Sequence, residues 1–182
     1  MKEKYYIEEL SEELEEKYND AVSKLEIGKL DEAEKKFKEI LEEKEDFVPA
    51  YNKLGVVYFY REDLVKAEEW LKKAEEYDEE FAPIITNFGS LAKKQGNKEK
   101  AKELYEKAIE IDPDYGAAHN NLGVVLREEG DFSSSVKHLK KARKLGSYSV
   151  KITDEPFYKR KGCLVPVGLI IFFTLLIYFW LS

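Results

Sequence analysis

Apolar side chains recur along this chain at helical spacing, in runs that stop and restart. Tyr51, Leu54 and Tyr58 stand three and four positions apart and share one helical face. Ala67, Leu71 and Ala74 do the same a little further on. Between such runs lie chain-reversing residues. Gly96 and Gly130 mark turns that need a positive φ, and Asp131 is placed to cap the helix that follows. Pro49 and Pro83 sit where a helix begins and the missing N–H costs nothing. Asp112-Pro113 ends one helix and starts a turn. The pattern predicts an all-α chain of paired antiparallel helices.

The runs repeat at a fixed step. Leu54-Gly55, Phe88-Gly89 and Leu122-Gly123 follow one another at equal intervals. Ala67, Ala101 and Ser135 keep that step, as do Leu71, Tyr105 and Leu139, then Ala74, Ala108 and Ala142. Ala33 and Phe37 lie one step earlier. Four blocks fit, 14–47, 48–81, 82–115 and 116–149. Small Gly55 and Ala67 let the two helices of a hairpin approach closely, and the same logic places Ala101 against Gly89. The first block departs from the pattern at Lys17, Asp20 and Lys24, and its first helix rests on Tyr18, Ala21, Val22 and Leu25. Residues 1–13 contain helix-compatible Tyr6, Ile7 and Leu10, and read as an extension of that first helix. An array of this kind leaves an apolar face at each end for terminal elements to cap.

The order aromatic, Leu-Gly, Tyr, Ala, aromatic or Leu, Ala, Pro over about 34 residues resembles the tetratricopeptide repeat (TPR) family. The resemblance covers residues 14–149. It implies a right-handed superhelical array of about four helix hairpins.

The last residues are of a different kind. Leu164 to Leu181 is a long uncharged run, most of it Leu, Ile, Val or Phe. As a helix it would be about 27 Å long, near the thickness of a hydrocarbon core. It lacks the polar face of an interfacial helix. The expectation is one C-terminal transmembrane helix over 164–181, joined to the array by a linker over 150–163. Pro166 and Gly168 fall in its first turns, and Tyr178 and Trp180 suit the far interface. Lys159, Arg160 and Lys161 flank the run, and positive flanks stay on the cytoplasmic side. The tail resembles a C-terminal anchor holding the array in the cytoplasm. Cys163 at the boundary is either a small apolar residue or an acylation site.

Charge narrows the choice of partners. The chain holds 30 basic and 37 acidic residues, a net charge of −7. Residues 1–149 hold 26 and 35 of these, a net −9. An acidic array argues against nucleic acid, which needs a basic stripe. A single cysteine excludes an internal disulfide framework. His119 and His138 are the only histidines, fall on different helices, and lack metal-ligand spacing. His119 occupies an aromatic slot of its block, and His138 reads as solvated between Lys137 and Lys140. No catalytic constellation is legible, so neither an enzyme activity nor a cofactor or metal is expected. Lysine far outnumbers arginine, which is confined to Arg61, Arg127, Arg143 and Arg160. That bias suggests a low-GC prokaryote and its inner membrane.

Family resemblance also implies a binding surface. In TPR proteins the first helices of the hairpins line a concave groove for peptides or partner helices. By repeat position that surface takes Tyr18, Val22 and Leu25, then Asn52, Val56, Phe59 and Tyr60, then Thr86, Ser90, Lys93 and Lys94, and finally Asn120, Val124 and Arg127. Its first half is apolar and aromatic, its second polar and cationic. Some family members hold a peptide carboxylate with a Lys-x-x-x-Asn pair on the first groove helix; Tyr18 and Val22 occupy that register here, which puts the subtype in doubt. The expected role is a membrane-tethered adaptor that docks protein partners. Two rivals share the architecture, an assembly or stability factor for a membrane complex and a tail-anchored organelle-fission adaptor. The second lacks its basic residues after the span.

Overall fold

In the computed structural model, residues 6–147 are described. Eight helices lie wholly among them, α1 (Glu12–Glu26), α2 (Leu30–Glu43), α3 (Val48–Tyr60), α4 (Leu64–Tyr77), α5 (Ala82–Lys94), α6 (Lys98–Ile111), α7 (Gly116–Glu129) and α8 (Phe132–Lys144). No strand occurs among the described residues. Helices α3, α5 and α7 start at equal intervals, as do α2, α4, α6 and α8, and the interval is that of the sequence repeat. The linker 150–163 and the apolar run 164–181 lie outside the described residues. Among the described residues, no helix is long and apolar enough to cross a membrane.

Each hairpin closes through a turn with one left-handed residue. Gly28, Gly96 and Gly130 hold φ of 79°, 87° and 88°. Glu62 takes the same place in the second hairpin at φ 62°, the one non-glycine with positive φ among the described residues. The residue after it caps the following helix. Asp63, Asn97 and Asp131 accept from the backbone N–H three positions on, at 3.0–3.1 Å. Lys29 stands in that place in the first hairpin and makes no side-chain cap.

Within hairpins α1 packs on α2, α3 on α4, α5 on α6 and α7 on α8; between hairpins α2 meets α3, α4 meets α5 and α6 meets α7. The first helices also touch one another, α1 with α3, α3 with α5 and α5 with α7. They form one continuous face, and the second helices form the opposite one.

Small residues permit this spacing. Ala33, Ala67 and Ala101 are fully buried, and Ser135 in the same slot donates from Oγ to the Gly123 carbonyl at 2.7 Å. The glycine contacts differ from the expected pairing. A Cβ on Gly89 would meet the Tyr105 ring at 2.6 Å, and on Gly55 or Gly123 the side chain of Leu71 or Leu139 at 2.7–2.8 Å. Gly89 is small to admit Tyr105, one turn beyond Ala101.

Phe47 and Phe81, immediately before α3 and α5, are fully buried and tie each hairpin to the one before it. The N-terminal segment uses them. It does not extend α1, because Ser11 caps that helix and the chain turns at Leu10. Tyr6 instead packs edge-on against Phe81 at 5.6 Å and Phe47 at 6.5 Å, and its hydroxyl donates to Asp78 at 3.0 Å. Residues 6–10 thus lie across the second hairpin's junctions.

Candidate functional site: the face of the first helices

Among the described residues, three hollows lie along the face formed by α1, α3, α5 and α7. The first, about 410 Å³, has walls from Val22, Leu25 and Leu30 on one side and Val56 and Tyr60 on the other, with Lys53 and Glu26 at the edge. The second, about 200 Å³, is lined by Val56, Phe59, Tyr60, Asn87, Ser90 and Asn121 with Leu71 and Leu91 beneath. The third, about 430 Å³, is lined by Phe59, Ser90, Tyr105, Asn121 and Val124 with Lys93 and Lys94. Val56 and Tyr60 are common to the first two, and Phe59, Ser90 and Asn121 to the second and third. The hollows therefore form one groove.

Several residues expected on this surface are elsewhere. Tyr18 is 2% exposed and packs against Phe47 and Phe37, with ring centroids 5.2 and 6.0 Å away. It is core, as are Asn52 and Thr86 at the same position one and two repeats on, so this register faces inward. Thr86 is also 2% exposed, and its hydroxyl donates to the Ala82 carbonyl at 2.9 Å. Asn52 is equally buried and accepts from Asn87 Nδ2 at 2.7 Å. Val22, Val56, Phe59, Tyr60, Lys93, Lys94 and Val124 do line the hollows. Asn120 is half-buried and donates weakly to Asn121 Oδ1 at 3.4 Å. Arg127 is exposed, is absent from the three linings and has no ion-pair partner among the described residues.

The polar floor comes from side chains one position further along. Asn87 holds Asn52, Asn121 donates to Ser90 Oγ at 3.4 Å, and Ser90 donates to the Thr86 carbonyl at 3.1 Å. The Tyr105 hydroxyl lies 3.3 Å from Ser90 Oγ, and burial pushes its pKa up, so it stays a neutral donor. Asn87 and Asn121 were legible as a pair one repeat apart. Asn52, Thr86 and Asn120 are equivalent to them in sequence and nearly as well placed on the helix, so only the fold tells the two sets apart. An Asn amide has two donors and two acceptor sites. The bonds that Asn87 and Asn121 make leave capacity on both at the floor.

The cations are not isolated. Lys93 and Lys98 both reach Glu128, at 2.8 and 3.1 Å, and Lys94 reaches Glu62 at 2.8 Å. Each pair spans neighbouring hairpins. Lys93 and Lys98 hold the Glu128 carboxyl below its usual pKa, and Lys94 does so for Glu62. With Arg127, this end of the groove carries more positive than negative charge in an otherwise acidic array. Among the described residues, no group of three or more His, Cys, Asp or Glu could hold a metal ion.

The TPR sequence profiles match residues 18–80, 82–115 and 104–137. The chain belongs to the tetratricopeptide repeat family. A crystal structure of MamA is similar at 25% identity and TM-score 0.54, over 73% of this chain and 78% of that one. Pseudomonas aeruginosa pilF is similar at 20% identity and TM-score 0.61, over 75% and 62%. A thermophilic TPR protein of Thermus thermophilus is similar at 21% identity and TM-score 0.63, over 78% and 76%. No curated relative matches the chain in sequence. A TPR array is a scaffold for protein–protein interaction, so protein is the partner class this fold takes.

Proposed function

We propose that the chain is a membrane-tethered TPR adaptor without enzymatic activity, which docks a protein partner in the groove formed by α1, α3, α5 and α7. The observation that carries this reading is the continuity of the hollows, apolar at the α1–α3 end and amide-floored and cationic at the α5–α7 end. Such a surface suits an extended segment. An apolar side chain enters beside Val56 and Tyr60, the backbone pairs with Asn87 and Asn121, and an acidic flank meets Lys93, Lys94 and Arg127. Tethering is supported by the long uncharged run 164–181, and a cytoplasmic array by the Lys159–Lys161 cluster beside it. The composition favours a prokaryotic inner membrane. A role in assembling or stabilising a membrane complex is the neighbouring reading, and it differs in needing the anchor for recognition.

The test uses the full chain, solubilised in mild detergent after crosslinking in its native membrane. Tyr60→Ala with Val124→Asp should reduce capture of the crosslinked partner at least tenfold in a protein that melts as wild type. The yield of crosslinked partner should also fall when the membranes are equilibrated, before crosslinking, in salt raised from about 50 to about 500 mM, roughly the range over which exposed charges become screened. Undiminished capture by this variant would move recognition to another face. Loss only on removal of 164–182 would favour the assembly-factor reading.

A further inference from the structure

The two histidines, far apart on the sequence of the fourth hairpin, meet across it. His119 on α7 is 7% exposed and His138 on α8 is half-buried. Their Nδ1 atoms are 2.9 Å apart, and His119 Nε2 lies 2.9 Å from the Pro113 carbonyl oxygen. A carbonyl only accepts, so His119 carries its proton on Nε2. Its Nδ1 is then an acceptor, and His138 donates to it from Nδ1–H. One basic nitrogen remains, His138 Nε2. A first added proton goes there and leaves both hydrogen bonds intact. A second has only His119 Nδ1 to take, where it faces the Nδ1–H of His138 across 2.9 Å. No donor–acceptor pairing between the two rings survives that state, and only the His119 bond to the Pro113 carbonyl is kept.

We propose that the His119–His138 contact is a proton-operated clasp: it holds the fourth hairpin closed while at most one imidazole is charged and releases it when both are. The neighbouring charges act in both directions. Lys137 on α8 opposes charge on His138, whose pKa is pushed down by burial, by His119 and by Lys137. Asp114, in the turn before α7, lies near His119 and binds Lys141 of α8 at 2.6 Å. Lys141 holds the Asp114 carboxyl below its usual range, so it stays ionised through the histidine range, and its negative charge, shared with Lys141, opposes release. Helices α5 and α6 also pack against α7, and no charged group of theirs bears on His138.

The sign follows from proton counting. Below the ordinary histidine value of about 6.5 the open hairpin binds more protons than the closed one, so closure is favoured above that pH and lost as pH falls. At pH 5 each free imidazole is favoured about 30-fold by protonation, and the closed hairpin gains at most one such factor. Its opening equilibrium should therefore rise about 30-fold or more between pH 7.5 and 5. Helix α7 carries Asn121 and Val124, so their wall of the third hollow is lost with it.

Hydrogen exchange on the full chain in mild detergent tests this, with exchange times scaled for the intrinsic pH dependence. Amides of 116–144 should show the roughly 30-fold rise in opening, and those of 48–77 should not. His138→Gln should abolish the rise, because an amide donates to neutral His119 and, turned over, accepts from the charged ring. Nitrogen-15 shifts of the wild-type imidazoles, which need no variant, should report the Nε2–H tautomer of His119 at pH 7.5. An unchanged rise in the Gln variant, uniform loosening of all hairpins, or the Nδ1–H tautomer at His119 would each overturn the proposal.

Discussion

A methyl group on Gly89 would lie 2.6 Å from the edge of the Tyr105 ring, closer than carbon atoms approach without something moving. The ring has little freedom to move. It is 1% exposed, and its hydroxyl lies 3.3 Å from Ser90 Oγ. Gly89→Ala should therefore overpack the third hairpin by roughly 1–3 kcal/mol, offset in part by the better helix propensity of alanine, about 1 kcal/mol. A net loss of up to about 2 kcal/mol in urea unfolding is the expected outcome. A gain in stability would mean that the ring swings aside and that Gly89 is there for another reason.

Between elements, Glu34 on α2 is held by three side chains. It accepts from the Tyr58 hydroxyl and from Lys38 at 2.6 Å each, and from Arg61, which also reaches Asp31. Burial alone would raise its pKa, yet Lys38, Tyr58 and Arg61 together hold it down to about 2. The bonds to Tyr58 and Arg61 cross from the first hairpin to the second. A depressed carboxyl pKa stabilises the fold above the unfolded-state value and loses that contribution as pH falls through the folded one. Here the window runs from about 4.5 down to about 2. Glu34→Gln should cost on the order of 2 kcal/mol at pH 7. The gap between wild type and variant should close as pH falls through that window, as read by urea midpoints. A gap independent of pH would mean that shape, not charge, couples the hairpins.

At the scale of the whole molecule, the hairpins share one groove face, residues 1–149 carry a net charge of −9, and the uncharged run 164–181 lies further along the same sequence. Tethering predicts a plain fractionation result. Alkaline carbonate should leave the full chain in the membrane pellet and release a chain ending at Lys161. Protease added from the cytosolic side should digest the array. Full release of the intact chain would remove the membrane from the proposed function, and protection of the array would reverse the topology.

The constant step of Leu-Gly, Ala and Pro determined the helix pairing, the turns and most of the buried small residues, because a repeat places the same packing demand at the same interval. Local spacing also marked which helices share the groove face, since side chains three and four apart must lie together. Tertiary contacts decided what repeat position could not. Tyr18 was expected on the groove, but its repeat position, shared with Asn52 and Thr86, faces inward and sets the ring between Phe37 and Phe47. Repeat position pairs Gly89 with Ala101, but the side chain that lies over it is Tyr105, one turn further on. Tyr6 reaches Asp78 from the other end of two hairpins, a contact with no local signature. His119 and His138 each read as ordinary in sequence. Only the closing of α7 on α8 makes them a pair, because a hydrogen bond depends on distances of a few ångströms that sequence separation does not encode.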